Sequence, residues 1–373
     1  MTLDPEALLA GPRGRRVCLE FALSGASGGA VDALELYQAV FYASLRLERP
    51  PVIRLTADGP DFDQRGVPSH SVEDVARLLA AVPLAEPVER EMLLCLAEVT
   101  RSARYWQEPD GKDILAASPV LREPVSRVAA HLAESVGASW WSAAWDRSQQ
   151  WVVRFLDPDR TKTESSAAAN AFSEAGTEEV LQRWQVSQTD QEKVALRDRP
   201  SDPTASYSGT WWSTPDFGLT ATTRSLGTLG PAGLWLVEDG LRWQSATATR
   251  VQVPPEARVY EIDGPRALAE LCRRHPLDVT ASRRHDWYRT TGRVGRWVIP
   301  DWSRIARDVD AVHLTVAGYL STAGRAVPVD DDVATVLAGW GPDRTYWLTD
   351  VVLDVPSREV WNLDREMWAR RAD

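Results

Sequence analysis

Residues 206–227 read SYSGTWWSTPDFGLTATTRSLG, and the chain changes character here. Upstream, apolar residues recur at helical spacing. From Tyr207 onward, short runs rich in Val, Trp and Tyr are bounded by Gly, Pro or Asp, the pattern of strands and turns. Within the stretch, the paired indoles of Trp211 and Trp212 meet Ser213, Thr214, Thr220, Thr222 and Thr223, and the series ends in Arg224. Indoles offer stacking faces and hydroxyls hold ribose or amide groups, so a pocket wall competes with plain core packing. On a strand, Trp211 and Ser213 share one face while Trp212 and Thr214 share the other, which makes Trp212 the indole expected in a pocket.

Working back from this stretch, helices are expected over 31–48, from Ser71 to the stop at Pro83, over 86–106 and over 124–138. RRVCLEFAL near Cys18 and PPVIRLTA near Ile53 read as short strands, and QWVVRFLD as a further one. A run rich in small and polar residues then precedes one polar helix at 177–197. Working forward, GLWLVED, RVYEID, RWVIP, AVHLTV, TVLAGW and TYWLTDVVLDV read as strands, interrupted by helices in GPRALAELCRRH and PDWSRIARDVD. Strands and helices in irregular order predict an α+β fold. The expected organisation is a mainly helical domain over 1–157, a linker with one polar helix over 158–204, and a mixed, mostly antiparallel β-rich domain with peripheral helices over 205–373.

Composition narrows the function. With 373 residues, 44% hydrophobic and 25% charged, the chain is globular and long enough for two domains. No apolar run of about 18 residues is present and the N-terminus lacks a secretory pattern, so a cytoplasmic protein away from membranes is expected. Cys18, Cys95 and Cys272 lie far apart with no metal spacing, and each reads as a small buried hydrophobe. No metal site is predicted. A net charge of −11 opposes broad nucleic-acid binding. Of the basic residues only Lys112, Lys162 and Lys193 are lysines, so no single arginine stands out as chosen over lysine. The 17 tryptophans are the main compositional anomaly.

No phosphate loop, HExxH or helix-opening GxGxxG occurs. The formal GxSxG at 25–29 reads better as a flexible Gly/Ser loop. Residues 273–296 hold seven arginines and two histidines against Asp278 and Asp286, with Trp287 and Tyr288 available to stack. Guanidinium forks bind phosphates, whereas the plainer reading is a solvated loop. His285 beside Asp286 is a candidate acid–base pair, although neighbours on a strand face opposite ways. His313, within AVHLTV, reads as a hydrogen-bonded core histidine. Glu238 and Asp239 precede Gly240 at an expected strand end, where a turn competes with a presented carboxylate.

The order of features over 207–350 resembles the ADP-ribosyltransferase superfamily: TWWSTP, then GLWLVEDGLRW, then RVYEIDGPRALAELCRRHP, DWSRIARDVDAVHL and GWGPDRTYWL. The chain departs from that family where Trp211 and Trp212 replace the histidine or arginine of the first strand. It departs again at Trp340-Gly341, where the family's Trp-Asp turn leaves Asp343 as the available acid. Its one ExE, Glu89 to Glu91, falls in an expected helix. The resemblance implies NAD as the ligand and separation of nicotinamide from ribose, with Glu238 or Asp343 as the carboxylate that stabilises the cationic transition state. It further implies Trp212 or Trp235 stacked on the nicotinamide, Ser213 and Thr214 on its amide or ribose, and Arg224 or Arg284 on the pyrophosphate. The helical part would then recognise a protein target or regulate access.

Two other expectations compete. One is a non-catalytic protein-interaction module whose Trp- and Arg-rich surface forms the contact. The other is RNA or aminoacyl-tRNA recognition through 273–296.

Overall fold

The computed structural model describes residues 3–24, 31–48, 70–156, 176–240 and 243–371. The loop at 25–29, the strand expected near Ile53 and the polar stretch 158–175 lie outside the described residues.

The N-terminal part is built from helices α1 (Pro5–Ala10), α2 (Pro12–Ser24), α3 (Val31–Leu47), α4 (Val72–Ala81), α5 (Glu89–Arg101), α6 (Gly111–Ala116) and α7 (Arg122–Ala133). Local chemistry sets several starts. At α4 the Ser71 hydroxyl accepts the Asp74 N–H at 3.1 Å and the Asp74 carboxylate accepts the Ser71 N–H at 3.0 Å, a reciprocal capping box. Helix α2 overturns the strand expected for RRVCLEFAL. It buries Val17, Cys18, Leu19, Phe21, Ala22 and Leu23, and a helix buried nearly all round has the same unbroken apolar run as a buried strand. Helix α5 is shorter than the expected 86–106. After its cap at Ser102 the chain turns to bury Ala103 and Tyr105, so tertiary packing overrides helical propensity.

Strand β1 (Gln150–Leu156) and helix α8 (Thr177–Asp198) follow as expected. The remainder contributes β2 (Ala221–Arg224), β3 (Ser245–Gln252), β4 (Val259–Ile262), α9 (Pro265–Arg274), β5 (Pro276–Asp278), α10 (Thr280–Thr291), β6 (Arg296–Pro300) and α11 (Trp302–Ile305). Then come β7 (Ala311–Leu314), α12 (Val316–Thr322), β8 (Val327–Pro328), β9 (Val333–Thr335), β10 (Thr345–Trp347), β11 (Val352–Asp364) and β12 (Met367–Arg370). The fold is α+β. An eight-stranded sheet runs β12-β11-β3-β1-β2-β10-β7-β4, antiparallel throughout except for the parallel β4–β7 pair. A four-stranded sheet runs β5-β6-β9-β8. Strand β1, which precedes residue 157, sits between β3 and β2 inside the large sheet. One apolar cluster extends from Leu3 and Leu8 in the helices to Trp361 and Trp368 in the last strands.

Three further expectations are corrected. TWWSTP forms no helix or strand and bends at Thr214. GLWLVED is a single 3-10 turn, Ala232–Leu234, followed by a β-turn; the Trp235 indole N–H folds back onto the Leu229 carbonyl at 2.9 Å. The arginine-rich stretch holds α10, with Ala281, Ser282 and Arg283 buried. Its N-terminal N–H groups are satisfied by a side chain: Ala281 and Ser282 donate to the buried Glu192 carboxylate at 2.7 and 2.8 Å. All three cysteines are free and buried, as expected. Among the described residues no helix is long and apolar enough to cross a membrane.

The tryptophans belong largely to the core. Eleven of the 17 are buried and none is exposed. Trp340 packs edge-on against Trp302 and Tyr346 at 5.5 and 5.1 Å between ring centres.

Candidate functional site

Residues 338–343, AGWGPD, tie together stretches that lie far apart in the sequence. The Ser213 N–H donates to the Ala338 carbonyl at 3.0 Å, and the Ala338 N–H donates back to the Ser213 hydroxyl at 3.1 Å. Gly339 has φ +80, and a Cβ there would fall 2.6 Å from the Trp212 Cβ, so glycine lets the indole-bearing stretch approach. The N–H of Gly339 is directed toward the Glu238 carboxyl. Asp343 closes the segment in a left-handed conformation, φ +58. Aspartate tolerates that region, and here its side chain is held from two sides.

Arg224 does the holding. Its backbone N–H donates to Asp343 Oδ2 at 2.8 Å and its Nε to Asp343 Oδ1 at 2.5 Å. The rest of the guanidinium reaches the Ala144 carbonyl at 3.2 Å and lies over the Trp140 ring. His313 comes within 3.8 Å of the same carboxylate through Nε2, while its Nδ1 bonds the Thr345 hydroxyl at 2.9 Å. Arg224, Asp343, His313 and Thr345 are all buried. Burial raises the Asp343 carboxyl above the usual range, with Arg224 pulling it back. Burial, then Arg224, lowers the His313 imidazole to about 3, so His313 is neutral near pH 7. Asp343 thus has its bonds to Arg224 made, while among the described residues the buried His313 Nε2 has no hydrogen-bond partner.

Glu238 is the opposite case. It sits on the turn after Trp235 and reaches toward the helical part. Among the described residues, both carboxylate oxygens are sealed from solvent and neither has a well-aligned hydrogen-bond partner. The hydroxyls of Tyr319 and Tyr105, the Gly339 N–H and the Arg13 guanidinium lie on its polar side, favouring ionisation without an aligned bond. Burial wins, and the Glu238 carboxyl is raised to about 8. The two tyrosine hydroxyls lie 3.3 Å apart, and both are pushed well above their usual range by burial and then by Glu238. Tyr105 also lines a cleft of about 240 Å³ at the junction of the helical and β-rich parts, together with Arg13, Arg16, Asp113, Thr290 and Gly324. Comparison with known protein families, with curated proteins and with solved structures finds no match.

The remaining expected site residues fall in several places. Trp212 is half-buried, 5.5 Å from the exposed Phe217 ring, whereas Trp235 is buried. Of the two indoles expected to stack on a ligand, only Trp212 keeps solvent-facing surface. Trp211, also half-buried, packs on Trp106 at 4.7 Å and edge-on to Tyr105 at 6.4 Å. Ser213 is spent on Ala338, while the buried Thr214 hydroxyl has no partner. Arg224 is committed to Asp343 and to carbonyls, which leaves it unsuited to a pyrophosphate. Arg284 donates to the Pro200 carbonyl at 3.3 Å, away from the Glu238 cluster.

The His285–Asp286 pair does not form. On a helix, adjacent residues are about 100° apart. Asp286 binds Ser208 Oγ at 2.8 Å, the Gly209 N–H at 3.1 Å and Arg289 at 2.5 Å. His285 instead lies beneath the Tyr207 ring, both nitrogens unpartnered, its pKa lowered by burial and then by Arg284 and Arg199. The other arginines of 273–296 are likewise engaged within the chain: Arg273 and Arg274 on Glu270, Arg283 on Gln188, Arg293 over Trp297, and Arg296 beside Asp278.

Sequence reasoning missed Tyr105, Tyr319 and Arg13. Tyr105 stands at the end of an expected helix, Tyr319 in an uncalled one, and Arg13 in a run read only for its termini. The one available signal was the placement of a tyrosine and an arginine beside helix ends.

Proposed function

We propose that this chain is an ADP-ribosyltransferase-like protein that binds NAD or a related nucleotide where its helical and β-rich parts meet, with Glu238 as the acidic group. The observation that carries this reading is the Glu238 carboxyl, sealed, without an aligned partner among the described residues and raised to about 8 beside Tyr319 and Tyr105, the second of which lines a cleft. Strongly shifted carboxyls of this kind concentrate at functional sites, because stability alone does not favour them. A cationic nicotinamide–ribose end presented at Tyr105 would favour the carboxylate form of Glu238, its proton passing to solvent. The resulting carboxylate would face the positive charge that grows on the ribosyl carbon as its bond to nicotinamide breaks and the bonding pair leaves with the ring, the carbon then bonding to the oxygen of water or to a nucleophile of an acceptor, which releases its proton to solvent. Trp212, whose Cβ lies beside Gly339, would supply the stacking face.

NAD titration by calorimetry, with nicotinamide release as the activity readout, tests the reading. Saturable binding is expected, weakened about tenfold or more in Trp212→Ala. The kcat/KM for nicotinamide release is expected to rise with pH through about 8, the value of the free protein, and activity to be lost in Glu238→Gln. Absence of NAD binding in the folded protein would overturn it.

A protein-interaction role draws on a different feature from the one the sequence suggested. With no exposed tryptophan, the apolar surface lies instead on α3, where Leu34, Tyr37 and Phe41 stand exposed at helical spacing.

A further inference from the structure

Beside the Tyr105 cleft, and sharing Pro12, Pro109, Asp113, Thr290 and Gly324 with it, is a larger cavity of about 580 Å³. Its walls are mainly apolar, with Leu47, Val72, Ile114, Ala117, Pro119 and Ala326 among them. Two arginines also line it, Arg15 from α2 and Arg325 from the turn after α12. Both donate to the same carbonyl, that of Ala10, at 3.4 and 2.8 Å, and Arg15 also donates to the Leu9 carbonyl at 2.8 Å.

The charges around this cavity do not balance. Arg13, Arg16 and Lys112 are matched by Asp113, Asp110 and Glu20. Among the described residues, Arg15 and Arg325 have no carboxylate partner, and the Arg15 Nε is buried with no acceptor. Capping the last carbonyls of α1 accounts for part of this arrangement. A helix C-terminus, however, carries at most about half a negative charge, which leaves two guanidiniums under-compensated. The two repel each other: burial first, and Arg325 among the neighbours, lowers the Arg15 guanidinium below its usual range, with Asp113 opposing. In a chain of net charge −11, two unmatched cations at an apolar cavity need a reason.

We infer that this cavity is a binding site for an anionic amphiphile, a carboxylate or phosphate head held by Arg15 and Arg325 with an apolar body against Leu47, Val72 and Ile114. Guanidinium forks match both head groups. Hydroxyls in the wall are few, Ser118, Thr290 and Thr291, which favours an apolar body over a sugar. Because the cavity is walled by α2 and α6 on one side and by residues 324–326 on the other, occupancy would clamp the helical part onto the β-rich part beside Tyr105. The inference stands apart from the nucleotide reading and does not depend on it.

Calorimetric titration with decanoate, decyl phosphate and decanol, each below its micellar concentration, tests it on the full chain. Saturable binding of at least one anion is expected, with decanol at least about tenfold weaker and with Arg325→Gln weakening the anion about tenfold or more. Arg15→Gln is expected to do the same. Should that variant fail to fold, Arg325→Gln still decides the matter, since among the described residues its one bond is an exposed one to the Ala10 carbonyl. Glu238→Gln should leave the binding unchanged, which separates this site from the nucleotide reading. Equal binding of decanol and decanoate, unchanged affinity in Arg325→Gln, or no binding by any of the three would overturn it.

Discussion

Two buried acids sit near the same six-residue segment and have been given opposite surroundings. Asp343 is gripped by Arg224 through its backbone N–H and its Nε, with His313 behind it. Glu238, near Gly339, has only near neighbours: Tyr105, Tyr319 and a guanidinium already committed to Asp113. The first arrangement spends its polar groups on one another and fixes the chain path from β2 to β10. The second leaves a carboxyl whose ionisation is held in reserve. A buried acid with its bonds made is a structural device, and one without them costs stability that a ligand can recover.

Removing Asp343 should produce the largest effect. Asp343→Ala strands the Arg224 charge in the interior and is expected to cost about 3–5 kcal/mol in denaturant unfolding. Replacing both partners, as in Arg224→Met with Asp343→Leu, should cost markedly less than the single change. A loss under about 1 kcal/mol for Asp343→Ala would place the pair on a solvated surface and dissolve the contrast.

Glu238→Gln should move stability the other way. The folded Glu238 keeps its proton up to about 8, whereas the unfolded chain releases it near the ordinary value of 4.5. Between those values the folded state binds the extra proton, so the wild-type protein loses stability from this group as pH rises. Glu238→Gln removes the loss and is expected to be more stable at pH 7, by on the order of 3 kcal/mol, with the gain vanishing below about pH 4.5. Melting curves across that range decide it; a Gln variant less stable at pH 7 would make Glu238 a structural acid like Asp343.

His313 works with the opposite sign. Its folded pKa of about 3 lies below the ordinary 6.5, so the unfolded state takes up a proton first as pH falls. The stability it contributes is whole above about 6.5 and is eroded from there down to about 3, amounting to on the order of 2 kcal/mol by pH 5. His313→Gln should flatten this acid limb while leaving the slope due to Glu238 in place. If both slopes vanish together, the two clusters are one.

The smallest effect expected is at Gly324, where φ is +74 and a Cβ would fall 2.5 Å from the Tyr105 ring. Gly324→Ala is expected to cost about 1–2 kcal/mol through backbone strain and to displace Tyr105 from Glu238. The tyrosine's displacement should show as a changed apparent pKa for Glu238.

Much of this was legible in the sequence, and the exceptions have physical causes. Ser71 and Asp74 announced α4 because capping is local chemistry, and the Gly264-Pro265 entry to α9 was as plain. RRVCLEFAL and GLWLVED were misread because short apolar runs look alike in a buried helix, a turn or a strand. Strands β2 and β3, ATTR and SATATRVQ, carry too little apolar signal to stand out, and neighbours on the sheet make them strands. For the site, Glu238 and Asp343 were visible as acids two residues from a glycine, but their difference was not. It depends on Arg224, 119 residues from Asp343, and on Tyr105 and Tyr319, 214 residues apart. Only the folded chain says which acid is paired.

The central claim is that Glu238 is a proton-holding acid which a cationic ligand ionises. Carbon-13 NMR of protein labelled at the glutamate carboxyl carbon tests it most directly, with Glu238→Gln identifying the resonance and titrations run with and without NAD. A midpoint near 8 is expected for the free protein, displaced downward when NAD is bound. A midpoint in the ordinary carboxylate range, or one near 8 that NAD at saturation leaves in place, would contradict it.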